Sequence, residues 1–128
     1  MNIILVIISL FLKSQSDVLE FISTDKTNEI PYSIEFDCVQ YSETLITNSQ
    51  NHGFDAVPVM VGWDRDGKLA LHEFVAFNTT DGIIWVEPQN DRQYVVSEKS
   101  LCYIDGECVG DFRFIYYDGE FTHTVSQP

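Results

Sequence analysis

The chain has 128 residues and a mass of 14.7 kDa, enough for one domain with its own core and too few for two ordinary ones. Hydrophobic residues make up 45% and aromatics 13%, a globular composition. Seven Lys and Arg against twenty Asp and Glu leave a formal net charge of −13 without a basic cluster, which excludes nucleic acid and anionic membrane surfaces as partners and otherwise speaks for solubility.

Ile3 to Leu12 is apolar but for Ser9 and is followed by Lys13, Ser14, Gln15 and Ser16. It is shorter than the roughly 20 residues that cross a bilayer, so no stable transmembrane span is expected, and it has the length of a signal-peptide hydrophobic region. Ser14 and Ser16 supply small residues before a cleavage site, although only the amino terminus provides positive charge in front of the run. The pattern favours export to a secreted or cell-surface location, with residues 1–16 as the signal and 17–128 as a single domain. A buried N-terminal segment of a cytoplasmic protein is the other reading. Asp17 to Ile22 fits a short helix or strand, a polar stretch follows, and Ile30-Pro31 begins an extended segment because the residue before proline is pushed away from helix.

From Phe36 to Ile46, apolar or small residues at 38, 41, 42, 45 and 46 keep one helical face buried. Asp37 is a good N-cap and Asn51-His52-Gly53 a good stop, so Cys38 begins a helix of about four turns. The positive end of the helix dipole favours a thiolate at Cys38, and the adjacent Asp37 opposes it. A cysteine filling core space as a small hydrophobe is the alternative.

Phe54 to Trp63 reads as a strand in which Pro58 argues for an edge or a bulge, and Asp64 to Lys68 as a hairpin turn. Leu69 to Asn78 and Ile83 to Glu87 are rich in Val, Ile, Phe and Trp and flank Thr79-Thr80-Asp81-Gly82, the pattern of a β-hairpin. Counting outward from the loop, Asn78 faces Ile83 and Phe74 faces Glu87. Alternation then puts His72 on the face of Phe74, diagonally across from Glu87 and within reach of a long side chain. A slip of one residue would separate them. Asn78-Thr79-Thr80 is also a glycosylation sequon, which reads more simply as the start of a turn.

Beyond Gln93, four segments (QYVVS, SLCYI, ECVGDFRFIYY and EFTHTV) read as strands that extend the sheet. Cys102 and Cys108 bracket an expected turn at Ile104 to Glu107, close enough for a disulfide that leaves Cys38 as the free thiol, or else remain unlinked. Their spacing fits no common zinc pair, and neither a metal nor a cofactor is expected.

Three motifs carry a resemblance. Cys38-Val39-Gln40-Tyr41-Ser42 resembles the C-x-x-[YF]-[AS] of the transglutaminase-like superfamily, His72-Glu73-Phe74-Val75 its H-[AS]-[WF]-V, and Trp85-Val86-Glu87-Pro88-Gln89 its W-x-x-D-P-T. It covers about Phe36 to Gln93, with Glu in place of Asp in the third motif and Glu73 at a position usually small. The resemblance implies an α+β, papain-like core with one main helix packed on a mainly antiparallel sheet. It also implies Cys38 as nucleophile, His72 as general base and acid, and Glu87 as the residue orienting the imidazole, with Tyr41 and Gln89 as candidates for lining the pocket. The expected function is cysteine-dependent acyl transfer, or amide or peptide hydrolysis, on a protein or peptide substrate. The alternative is a catalytically inactive exported binding or accessory module on the same fold.

Overall fold

The computed structural model describes residues 12–117 and, through the backbone, 120–124. Helix α1 (Gln15–Thr24) is followed by a 3₁₀ turn (Thr27–Glu29) and the longer helix α2 (Cys38–Asn51). Eight strands follow: β1 (Asp55–Arg65), β2 (Lys68–Thr79), β3 (Gly82–Val86), β4 (Gln93–Val96), β5 (Ser100–Tyr103), β6 (Cys108–Asp111), β7 (Phe114–Tyr117) and β8 (Glu120–Thr124). The fold is α+β, with every strand pair antiparallel and the order β6-β5-β4-β3-β2-β1-β7-β8.

That order forces the sheet to roll. Strands β6 and β7 stand six positions apart, about 29 Å across a flat sheet, yet Phe112 and Arg113 alone join them, a reach of about 11 Å. The link is pinned at both ends: Phe112 N–H donates to Lys99 O at 2.8 Å and Arg113 N–H to Gly62 O at 2.7 Å. The segment expected as one strand, ECVGDFRFIYY, is therefore two strands in different parts of the sheet.

Two cores follow from the alternation of side chains. On the helix side Val18, Ile22 and Leu45 pack on Ala56, Val75, Phe77, Ile84 and Val86. On the other face Val59, Val61, Phe74, Ala76, Tyr94, Leu101, Phe112 and Ile115 fill the inside of the roll. Both α1 and α2 are capped as their sequences dictate. Ser14 and Asp17 form a reciprocal capping box for α1, and Asp37 and Gln40 one for α2. Gly53, at φ 83°, ends α2 in the left-handed region that glycine adopts without strain.

Pro58 is neither at a sheet edge nor in a bulge. β1 lies between β2 and β7, and among the described residues the β7 ladder begins at Val59, so the N–H that proline lacks meets no described partner. The expected signal segment is described only from Leu12 onward, the rest lying outside the described residues. Lys13 O accepts the Thr80 N–H at 2.9 Å, and the Gln15 N–H donates to Asp81 at 3.0 Å, so residues 13–15 are built into the fold. Among the described residues no helix is long and apolar enough to cross a membrane.

Candidate active site

The β2–β3 hairpin has the register counted from its loop. Asn78 pairs with Ile83 and Val75 with Val86, so Glu87 follows opposite Phe74. His72 and Glu87 consequently share the inner face, and His72 Nε2 meets Glu87 Oε1 in a hydrogen bond. The contact fixes the imidazole: with the proton on Nε2 facing the carboxylate, the Nδ1 lone pair is left to act as a base.

Glu87 is only 4% exposed, and a buried carboxylate is tolerable only when its oxygens are satisfied. Tyr94 donates its hydroxyl to Oε1 at 2.9 Å, and the Gln89 backbone N–H donates to Oε2 at 3.2 Å. Tyr94 stacks on Tyr103 with centroids 4.7 Å apart, and the Arg92 guanidinium lies 3.5 Å from the Tyr103 ring centroid while bridging to Asp105 and Glu107. The imidazole is thus backed by a carboxylate, and the carboxylate by a phenol. Tyr94 is absent from the sequence-based site. Its signal is the return of the chain after the Glu87 turn, which brings β4 beside β3 with Tyr94 opposite Trp85.

Cys38 approaches from the opposite side of the sheet. It is the first residue of α2, whose N-cap Asp37 accepts the N–H groups of Val39 and Gln40. Glu73, one residue from His72, has its side chain on the helix face, and its backbone lies near enough to the Cys38 thiol to lower its pKa. Cys38 comes to this part of β2 where β3 has ended: β3 pairs with β2 from Val75 to Thr79, so among the described residues no strand covers that side of β2 from Glu73 backward. Around this gap the structure joins His72 directly to Glu87, and Cys38 to the residue adjoining His72.

The charge around the thiol differs from the balance of helix dipole against Asp37. Burial pushes the Cys38 thiol up, the Glu73 backbone partly offsets it, and the carboxylates of Asp37, Glu73 and Glu87 push it further up. Burial also raises the Glu73 carboxyl, with Glu43 and Asp37 adding to the effect and His72 opposing it. The resting form is a protonated thiol in an acidic surround, one that needs a base to ionise.

The other expected site residues are placed as follows. Tyr41 is 3% exposed, donates its hydroxyl to the Ile30 carbonyl and packs edge-on against Phe36 at 4.8 Å, so it supports the start of α2 from beneath. Gln89 is half-buried and serves Glu87 through its backbone N–H. Cys102 and Cys108 pair across β5 and β6 and are bonded as a disulfide, leaving Cys38 free. Asn78 lies within β2, donating to Asp55 and accepting from the Tyr117 hydroxyl at 2.6 Å. Among the described residues no group of three His, Cys, Asp or Glu side chains is placed to hold a metal ion. No protein-family model, curated protein or solved structure matches the chain.

Proposed function

We propose that the protein is a transglutaminase-like thiol enzyme that transfers or hydrolyses acyl groups of a protein or peptide substrate through a thioester on Cys38. The observation that carries this reading is the His72–Glu87–Tyr94 chain, an imidazole held by a buried carboxylate on a strand whose next residue lies beside the free Cys38.

The mechanism requires Cys38 and His72, on opposite faces of β2, to meet around its open end; Nδ1 of His72 then takes the Cys38 proton as Sγ attacks a carbonyl carbon. The tetrahedral adduct collapses with cleavage of the carbon–nitrogen bond, the amine leaving with the proton from Nδ1. Water or a second amine, deprotonated by the same nitrogen, then attacks the thioester and releases the thiol. Asp37 occupies the N–H groups of Val39 and Gln40 and leaves that of Cys38 to face the developing oxyanion. Export belongs to the same proposal, with the signal confined to the residues before Lys13, because Lys13 to Gln15 are bonded into the fold.

The raised thiol favours a second reading, a binding or accessory module on this fold in which Cys38 performs no chemistry. A generic acyl donor separates the two. With p-nitrophenyl acetate, the enzyme reading expects a burst of nitrophenol, an acetyl group on Cys38 by mass spectrometry, and loss of the burst in His72→Ala. Acetylation at the same rate in both proteins would support the second reading.

A further inference from the structure

The gap that admits Cys38 also leaves a length of β2 unpaired among the described residues. The Arg65↔Lys68 pair closes the β1–β2 hairpin through Asp66 (φ 53°) and Gly67 (φ 79°), a two-residue turn whose closing pair exchanges both hydrogen bonds. Even-numbered residues of β2 therefore bond to β1, and the N–H and C=O groups of Leu69, Leu71 and Glu73 point toward the β3 side. β3 reaches only Val75, and among the described residues no strand covers that edge at Leu69 and Leu71. Their side chains are 51% and 54% exposed. An open, apolar strand edge is something soluble proteins normally blunt with charge, proline or a covering loop.

We propose that this edge is the substrate cleft: an extended peptide adds to β2 as a further strand at Leu69 and Leu71, carrying an apolar side chain over the leucines and a basic one beside Glu73. Outward positions on a strand recur about every 6.8 Å, so a peptide paired at Leu71 places its next inward-facing group beside Glu73, whose backbone lies near the Cys38 thiol. Backbone pairing fixes the reach of the peptide, and alternate side chains fix its identity. The basic residue follows from charge: Glu73 stands among Glu43 and Asp37. A second copy of the chain is the other occupant an open strand attracts, but each copy carries a net charge of −13, which opposes edge-to-edge pairing. The inference rests on the thiol-enzyme reading for the chemistry, though not for the binding.

Binding is measured on the full chain carrying Cys38→Ala, by fluorescence anisotropy of a capped six-residue peptide of valine, leucine, alanine and one central lysine. N-methylation of its amides one at a time reads the geometry. Strand addition expects alternating sensitivity, with every second methyl group weakening binding about fivefold or more and those between weakening it little. Replacing the lysine by glutamate weakens binding further. On the protein side, Leu71→Pro removes the outward N–H without touching the β1 ladder and is expected to weaken binding comparably, while Leu71→Thr retains most of it. Uniform sensitivity to methylation, no binding at millimolar peptide, or an edge dimer that Leu71→Pro abolishes would each overturn the inference. The thiol-enzyme reading fails separately: alternating binding without His72-dependent acetylation of wild-type Cys38 leaves the cleft and removes the chemistry.

Discussion

Glu87 can be buried because three donors meet it, and each does something different. His72 takes orientation from it, while Tyr94 and the Gln89 amide hold it in place. Tyr94→Phe deletes one donor and keeps the ring stacked on Tyr103, so thermal stability is expected to change little and the acetylation rate of Cys38 to fall about tenfold. Glu87→Gln removes the charge that stabilises the imidazolium and is expected to cost about a hundredfold or more. Equal rates in wild type and both variants, followed by mass spectrometry, would detach this chain from Cys38. At this scale the sequence is most readable where alternation acts locally. His72 and Glu87 lie on two strands joined by a four-residue polar segment, so counting from the turn places them on one face. Tyr94 depends on where the chain returns after Glu87, and the thiol's environment on Glu73 and Glu87 arriving from other elements. Neither is written in local periodicity.

Among the elements, α1 and the loop from Pro88 to Arg92 frame the hairpin. α1 is ambiguous in sequence, because Asp17 to Ile22 is too short for its period to decide; Ser14 and Asp17 supply the cap that makes it a helix. Ser14→Ala is expected to lower stability by about 1 kcal/mol in urea unfolding. In the loop, Asp91 adopts φ 62°, with one carboxylate oxygen buried and unpartnered. Burial pushes its pKa up to about 6, with the nearby Asp25 carboxylate adding to the effect. The folded state therefore keeps this proton to higher pH than the unfolded state, whose group titrates near 3.8. Stability is lost as pH rises between these values, and the loss is complete above about pH 6. Asp91→Asn keeps the left-handed backbone and cannot ionise. Its melting temperature is expected to match wild type near pH 4 and exceed it at pH 7; an equal difference at both values would exclude the carboxylate as the cause.

For the whole molecule, the two-residue link through Phe112 and Arg113 converts a row of strands into a roll, with one core inside and another beneath the helices. Sequence patterning yields the strands and their antiparallel hairpins, because each turn is local. It does not place β7 beside β1 or divide ECVGDFRFIYY, since that pairing joins segments some fifty residues apart and an apolar run looks the same on either side of a sharp corner. The Cys102–Cys108 disulfide closes a short loop at the far end of the sheet. Reduction is expected to cost about 2 kcal/mol at most and to leave His72, Glu87 and Tyr94 in place. Loss of acetylation on mild reduction, without unfolding, would show that the roll transmits more than this architecture suggests.

The central claim is that a protonated, acid-surrounded Cys38 is made nucleophilic by His72. It is tested most directly by the pH dependence of iodoacetamide alkylation at Cys38, followed by mass spectrometry in wild type and His72→Ala. The account predicts alkylation of the wild type at neutral pH through the imidazole, and a single alkaline wave above the ordinary thiol range once His72 is gone. Superimposable profiles would contradict it.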